Sequence, residues 1–482
     1  MTPNAKILPK FKDTLSRFFF FIVLRRIFVV FSIGTFISIL VGSNMAGPIE
    51  QVDVSSQKIV RDLSCMSWRD GDFSSEQKVS LGNGEVYSTT SDPVSLLQAE
   101  PVSLGFGKIF EQKLKENKSY GLMVSGEHAA GVGSSIFSIR DDATRRGLAV
   151  SRCLPTGQEF WFSGINTTSG YEAFLQLANP DNSDIVVSIN GFTATGETSL
   201  AQFRRIVVPA LSVRTVDLTR ALPGVDTAAF SVRVSDGRIG AVVQVEAVNG
   251  VNALGRSFIQ PITSPRETIV LNGVLAKSKA PKLQILATET DAIITIRLAT
   301  ADGVFPLSGA EEILIPQSTV ANFDLASAVG DQNATVIVES DQPLVASLTQ
   351  FSVSRKVTDY EVLTGQEQVR ELGVLPISSV TSKTLIDVYA VESANVSLTA
   401  YANGDVLWEA SEYVGAGSFA RLKLPDALGA KAVLRVTSDQ PGVFMTAWTY
   451  HSTKGGSVTA ASTISDVPVT SLAGARINLR VS

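Results

Sequence analysis

Two segments of the sequence have the Ser-x-x-Lys spacing that can place a serine nucleophile beside a lysine general base. They are Ser55-Ser-Gln-Lys58 and Ser75-Glu-Gln-Lys78. In penicillin-binding enzymes this pair lies at a helix start and acts with downstream Ser-Asp-Asn and Lys-Thr-Gly segments. The sequence contains neither of these partner segments and no Gly-x-Ser-x-Gly elbow. We therefore expect no catalytic serine at either position.

Histidine and cysteine are too few for most metal and nucleophile chemistry. The chain has two His residues, His128 and His451, and two Cys residues, Cys65 and Cys153. These numbers exclude a His-rich metal site and a disulfide-dense scaffold. A Ser-His-Asp triad would have to use one of the two histidines. A surface loop and a strand end explain the two positions better, so we predict no catalytic residue, no metal and no cofactor.

Aspartates recur at predicted turns, where they could bind calcium between domains. The residues are Asp236, Asp341 and Asp439. Calcium takes six to eight oxygen ligands from clustered groups, and each turn offers only one or two carboxylates. An aspartate that accepts hydrogen bonds from nearby backbone N–H groups is the simpler interpretation.

Four tryptophans could stack against sugar rings. Trp161 and Trp448 lie in apolar, strand-like stretches and are expected to pack in cores. Trp408 lies beside Asn403-Gly-Asp405 in a predicted hairpin, so it is the candidate for glycan contact.

The elements that would position these residues repeat along the chain. The segment Ala334–Val353 has the pattern of strand, turn and strand around Ser340-Asp-Gln-Pro343, and Val433–His451 repeats it around Ser438-Asp-Gln-Pro441. The spacing of the turns is 439 − 341 = 98 residues. A period near 100 residues with alternating apolar positions indicates tandem β domains. A third copy occurs at Phe230–Val248.

Six to eight short strands per repeat predict an all-β fold of tandem immunoglobulin-like β-sandwich units behind one N-terminal transmembrane helix. We expect about four such units in a rod or an arc. The predicted segments are a basic tail (1–26), a membrane segment (27–45), a linker (46–58), an irregular β domain (59–153) and three β-sandwich repeats (154–268, 269–376 and 377–482).

The N-terminus has the composition of a membrane-targeting segment. Six basic residues precede an apolar run, Ile27–Ser43, that is at the short end for a membrane helix. Because basic residues stay on the cytoplasmic side, the rest of the chain is predicted to be extracellular, with the protein in the cell membrane as a single-pass anchor. The alternative is secretion after cleavage of a signal peptide. The basic residues are Lys6, Lys10, Lys12, Arg17, Arg25 and Arg26.

The charge beyond the N-terminal segment is acidic. Residues 1–45 contain six basic residues and one acidic residue, Asp13. The rest of the chain therefore has 41 − 6 = 35 basic and 46 − 1 = 45 acidic residues, a net charge of −10. No basic stripe with interleaved aromatic residues is present, so we expect no nucleic acid partner.

Several short motifs occur together in a fixed order. They are Arg146-Gly-Leu-Ala149, Cys153 with Pro155, Phe160-Trp-Phe-Ser-Gly164, and Leu175-Gln-Leu-Ala-Asn-Pro180. In this the chain resembles the exported actinobacterial proteins grouped as the domain of unknown function 5719 family. The resemblance runs from about Cys65 to the C-terminus, although Met66 stands where the family usually has proline. It implies an anchored or secreted envelope protein with tandem β domains, and it implies no activity.

The two cysteines lie at the two ends of the first β domain. Both lie beyond the predicted membrane segment and therefore in an oxidising compartment, so we predict a Cys65–Cys153 disulfide. The alternative is two buried free thiols.

These features predict a non-catalytic, membrane-anchored cell-envelope protein that acts as a structural or interaction module. Its partners would be the membrane and an unknown envelope protein or glycan. One alternative is a glycan-binding or glycan-assembly accessory protein, and a second is an enzyme of unrecognised type.

Overall fold

The computed structural model describes most of residues 60–464. The gaps are 70–73, 81–83, 92–95, 99–101, 105–106, 116–118, 126–131, 143, 371, 378–380 and 429–431. The predicted basic tail, membrane segment and linker therefore lie outside the described residues, and so does His128. Within the described part, no helix is both long and apolar enough to cross a membrane.

The described residues of the first unit form ten strands: β1 (Val60–Met66), β2 (Ser74–Ser80), β3 (Gly84–Ser91), β4 (Leu96–Gln98), β5 (Val102–Leu104), β6 (Ile109–Leu114), β7 (Ser119–Ser125), β8 (Gly133–Asp141), β9 (Arg146–Arg152) and β10 (Leu154–Pro155). One sheet has the order β10-β1-β7-β3-β4, with β5 also paired to β3, and the other has the order β6-β2-β8-β9. The segment Ser75–Lys78 lies in β2, so this Ser-x-x-Lys segment is on a strand and not at a helix start.

The second unit contains nine strands: β11 (Glu159–Ile165), β12 (Tyr171–Ala178), β13 (Ile185–Thr193), β14 (Gly196–Thr198), β15 (Ile206–Val208), β16 (Val213–Asp217), β17 (Ala228–Val234), β18 (Gly240–Asn249) and β19 (Asn252–Ile259). A 3-10 turn spans Ala201–Phe203, and a one-turn helix, α1, spans Leu218–Ala221. The two sheets have the orders β11-β17-β13-β14, with β15 beside β13, and β16-β12-β18-β19.

The third unit contains eight strands and the short helix α2 (Ala326–Val329): β20 (Arg266–Val274), β21 (Lys279–Ala287), β22 (Ala292–Thr300), β23 (Gly303–Pro306), β24 (Ile313–Ile315), β25 (Val320–Asp324), β26 (Ala334–Ser354) and β27 (Val357–Thr364). The first part of β26 pairs with β20 and β22, and the second part pairs with β21 and β27. The predicted turn at Ser340–Pro343 is therefore wrong for this copy, because one continuous strand passes from one layer to the other.

In the part of the fourth unit that the structure describes there are eight strands: β28 (Gly373–Pro376), β29 (Lys383–Ala390), β30 (Ala394–Ala402), β31 (Asp405–Val414), β32 (Ser418–Lys423), β33 (Val433–Ser438), β34 (Val443–Thr453) and β35 (Gly456–Ile464). A 3-10 turn spans Asp426–Leu428. The two sheets have the orders β28-β33-β30-β31 and β32-β29-β34-β35. Here the predicted turn is present, between β33 and β34.

Three of the predicted boundaries disagree with the strands: the boundary at 268/269 falls inside β20, and strand pairing moves the other two. The predicted boundaries at 153/154 and 376/377 separate β10 and β28 from their partners, because β10 pairs with β1 of the first unit and β28 pairs with β33 of the fourth unit. Both strands are short and lie next to a boundary, so their local sequence does not indicate which neighbour they join.

Alternating apolar residues form the core of each unit. In the second unit, Ile185, Val187 and Ile189 of β13 and Leu175 and Leu177 of β12 are buried in one cluster between the two sheets. Burial of each such side chain stabilises the fold by roughly 1.5–3 kcal/mol. The protein is thus all-β, with several sheets packed in two layers per unit.

One edge strand from each of the four units packs against the edge strands of its neighbours. Strand β9 contacts β19, β19 contacts β27, β27 contacts β35, and β35 contacts β9. The contacts therefore form a closed ring, and the expectation of a rod or an arc is wrong. An open row would leave the first and fourth units apart, whereas here their edge strands β9 and β35 pack together.

Candidate functional site

The chemically unusual part of the molecule is the centre of this ring, at β27. This strand follows a tight turn in which Arg355 has a positive φ of 56°. One face of β27 carries Tyr360 and Val362, which pack in the core of the second unit. The other face carries Asp359 and Glu361, which are only 1% and 2% exposed.

Asp359 accepts hydrogen bonds from strands of all four units. Its Oδ2 accepts from the backbone N–H groups of Leu148 in β9 at 3.0 Å and Thr459 in β35 at 2.9 Å. Its Oδ1 accepts from the backbone N–H groups of Arg256 in β19 at 3.1 Å and Tyr360 in β27 at 3.0 Å. The Asp359 carboxylate thus supplies acceptors for backbone N–H groups of strands that belong to different units.

Glu361 makes the same kind of connection two residues further along. Its Oε1 accepts from the hydroxyl of Ser257 in β19 at 2.7 Å, and its Oε2 accepts from the backbone N–H of Ala461 in β35 at 3.0 Å. The Ser257 hydroxyl in turn accepts from the backbone N–H of Val362 at 3.3 Å. The second and fourth units are therefore joined twice through β27.

Arg256 is the buried cation of the ring centre and connects it to the first unit. Its Nε donates to the carbonyl of Gly147 at 3.2 Å. Its guanidinium lies 4.8 Å from the ring centroid of Trp68, which packs edge-on against Phe258. A desolvated guanidinium over a tryptophan ring is among the stronger cation–π arrangements.

Burial dominates the titration of these groups. It raises the pKa of Asp359 to about 7, although the N–H groups of Leu148, Arg256 and Thr459 act in the opposite direction. Burial also raises the pKa of Glu361 well above its ordinary value, against the hydrogen bond from Ser257. Burial lowers the pKa of Arg256 to about 9, while the charges of Glu246 and Asp359 oppose that change.

Glycine permits the close approach of β19 to β27. Gly255 has a φ of +124°, and a Cβ there would overlap the backbone of Asp359 and Tyr360. On β9, a Cβ at Gly147 would lie 2.7 Å from Cγ of Arg256. The motif Arg146-Gly-Leu-Ala149, noted in the sequence, is thus the part of β9 that packs at the ring centre.

The structure pairs the two cysteines as predicted. Cys65 in β1 and Cys153, between β9 and β10, form a disulfide with Cα atoms 4.4 Å apart. Both residues are buried with Trp68 in the core of the first unit. The bond fastens β1 to the end of β9, and therefore next to the ring centre.

Tryptophans lie mainly in cores. Trp68, Trp161 and Trp448 are buried, and the Trp448 indole N–H donates to Asp387 Oδ2 at 2.9 Å. Trp408 is half-buried and packs against the core of the fourth unit. The residue is only partly exposed, and its contact with a glycan stays a prediction.

The turn aspartates bond to the backbone of neighbouring strands. Asp341 accepts from the N–H of Ile293 at 2.8 Å, and Asp439 accepts from the backbone N–H of Asn395 at 2.7 Å. In the described residues, no group of three or more His, Cys, Asp or Glu side chains is placed to hold a metal ion.

Sequence reasoning missed Asp359, Glu361 and Arg256. The signal that could have found the two carboxylates is their place in Val357–Thr364, where they alternate with Tyr360 and Val362. Alternation of this kind normally marks a solvent-facing polar side, and both sides of β27 are buried.

Comparison with known proteins identifies the family. The family model described as "Family of unknown function (DUF5719)" matches residues 118–464, and the chain belongs to that family. No curated protein matches the sequence.

Two solved structures show weak similarity. One is a crystal structure of a tetra-tandem repeat in the extending region of a large adhesion protein, with 13% identity, coverage of 81% of this chain and 93% of the other, and a TM-score of 0.10. The other is the Streptomyces avermitilis α-L-rhamnosidase complexed with L-rhamnose, with 8% identity, coverage of 84% and 57%, and a TM-score of 0.11. At these TM-scores neither structure carries an argument.

Proposed function

We propose that this protein is a non-catalytic, membrane-anchored component of the cell envelope that presents binding surfaces on a ring of four immunoglobulin-like β-sandwich units. The observation that carries the proposal is the bonding of Asp359 to β9, β19 and β35. Each of its oxygens already accepts two hydrogen bonds and is buried. A carboxylate held in this way fixes the positions of the four units relative to one another.

Sequence features support the location. Six basic residues precede the apolar run Ile27–Ser43, and the disulfide between Cys65 and Cys153 is of a kind that persists in oxidising compartments. We propose a cytoplasmic N-terminus, a single membrane span and an extracellular ring. Signal cleavage, which would release the ring, is the alternative.

The partner class is tested by crosslinking in intact cells. A photoreactive residue placed at exposed positions such as Val207, Leu314 and Tyr413 should give an adduct with a specific envelope protein, which mass spectrometry identifies. A matched residue at buried Asn272 should give none. If the adducts contain only glycan strands, the glycan-accessory alternative is favoured, with Trp408 as the candidate contact. Absence of any adduct from all exposed positions would contradict the interaction role.

A further inference from the structure

The strand β31 forms an open edge of the fourth unit. It spans ten residues and pairs with β30 on one side, and in the described residues it is the last strand of its sheet. The pairing register shifts between Ala400 and Tyr401, which leaves Leu407 in a bulge near the hairpin. Beyond the bulge, Trp408–Val414 continues as a regular strand. Alternate residues of such a strand direct N–H and C=O groups outward.

The corresponding edges of the other three units are broken. In the second unit β13 pairs with the separate three-residue strands β14 and β15. In the third unit β22 pairs with β23, which contains Pro306, and with β24. In the first unit β3 pairs with β4 and β5, of three residues each. Short, interrupted edges disfavour strand addition, and among these four described edges only β31 has a run of seven consecutive strand residues, Trp408–Val414, beyond its bulge.

The side chains of the open edge are acidic and partly apolar. Asp405–Val414 contains three acidic residues and no basic residue. Tyr413 is 65% exposed, and Glu409 and Glu412 are exposed as well. Glu412 is opposite the buried Val396, so it lies at the rim of the core face, whereas Glu409 is opposite Thr399 on the outer face. The two carboxylates therefore lie on opposite faces of the edge.

We propose that Trp408–Val414 binds an extended segment of a partner polypeptide as an added antiparallel strand, and that this segment carries two basic side chains three residues apart. The inference rests on the proposed interaction role and specifies its partner. Main-chain hydrogen bonds supply affinity in such strand addition, and alternate side chains supply specificity.

Register fixes the spacing of the basic residues. In an antiparallel pair, the partner residues opposite Glu409 and Glu412 are three positions apart and lie on opposite faces. The residues opposite Ala410 and Trp408 lie over the rim of the core, where apolar side chains would cover the exposed part of the Trp408 ring. Two basic residues at a spacing of two would both lie on one face and could reach only one of the two carboxylates.

A synthetic peptide tests the proposal with the full-length protein. The probe has seven residues, of which five are β-branched, with lysine third and arginine sixth. A control peptide carries the same residues with the basic pair at positions three and five, and another has proline at position four. Calorimetric titration should show at least about fivefold tighter binding of the probe than of either control. Hydrogen exchange should show new protection in Trp408–Val414.

Charge-reversed variants locate the binding surface. The double variant Glu409→Lys with Glu412→Lys should weaken binding of the probe by about tenfold, because two attractive pairs become repulsive. The matched control is Glu197→Lys on β14, an exposed position of a broken edge, which should leave binding unchanged. Unchanged affinity in the double variant, equal affinity for all three peptides, or protection outside β31 would each overturn the inference. Crosslinking to an envelope protein at another surface would still support the proposed function in that event.

Discussion

The carboxylate of Asp359 accepts a hydrogen bond from the backbone N–H of Leu148, which lies 211 residues earlier in the chain, at 3.0 Å. The same carboxylate oxygen accepts from the N–H of Thr459, 100 residues later, at 2.9 Å. A single side chain of β27 in the third unit therefore joins β9 of the first unit and β35 of the fourth unit. This arrangement distinguishes a closed ring from a row of independent domains.

Removal of the Asp359 carboxylate should destabilise the whole described body. Asp359→Ala leaves four buried N–H groups without an acceptor, and each unsatisfied group costs about 1–3 kcal/mol. We expect a loss of at least about 3 kcal/mol in the free energy of unfolding, measured by chemical denaturation. Asp405→Ala, at an exposed position of β31, is the control and should change stability by less than about 0.5 kcal/mol. Equal stability of the two variants would contradict the role assigned to Asp359.

Stability should depend on pH through Asp359. Its pKa in the folded protein is raised by burial to about 7, whereas an aspartate in an unfolded chain titrates near 3.9. Between these values the folded protein retains a proton that the unfolded chain has released. The contribution of Asp359 protonation to the free energy of unfolding is therefore fully present below about pH 4 and is lost as pH rises through 7.

The measurement compares wild type with Asp359→Asn, which cannot titrate at this position. The difference in unfolding free energy between the two proteins should grow in favour of wild type as pH is lowered from 8 to 5. A difference that is constant across this range would show that the Asp359 pKa is not raised.

Close approach at Gly255 should make that position intolerant of any side chain. Gly255→Ala places a Cβ against the backbone of Asp359 and Tyr360, and we expect a loss of more than about 2 kcal/mol. Gly303→Ala is a matched control, because Gly303 has a φ of +120° but has no atom within 4 Å of the added Cβ. Thermal unfolding of the two variants separates steric overlap from backbone strain. A similar loss in both would mean that strain alone is responsible.

The disulfide should be formed in protein isolated from cells without reductant. Cys65 and Cys153 are 88 residues apart, and closure of a loop of this length stabilises the fold by roughly 4–5 kcal/mol in the chain-entropy model. Thiol labelling of the denatured protein should modify neither cysteine until a reductant is added. Full labelling without reductant would contradict the disulfide and weaken the proposed extracellular location.

Much of the fold follows from local sequence pattern. The recurrence near Asp341 and Asp439 indicates tandem β units because alternation and turn residues are local signals. The disulfide followed from the number of cysteines and the predicted compartment. The ring closure could not be predicted, since contact between β9 and β35 depends on how three successive unit junctions are oriented.

The burial of the carboxylates at the ring centre could not be predicted from the sequence either. Asp359 and Glu361 have the alternating pattern of a solvent-exposed strand face, and only the packing of three other strands over that face makes them buried. The continuous course of β26 through Ser340–Pro343 was missed for a related reason. The same Ser-Asp-Gln-Pro residues form a turn in the fourth unit, so tertiary context decides between the two conformations.

Amide hydrogen exchange at the ring centre tests the account most directly. The N–H groups of Leu148, Arg256 and Thr459 belong to three different units and share Asp359 as their acceptor. In wild type all three should be strongly protected. In Asp359→Ala all three should exchange faster together, while the N–H of Val187 in the core of the second unit should retain more of its protection. Unchanged protection at Leu148 or Thr459 in this variant would contradict the claim that Asp359 holds the four units together.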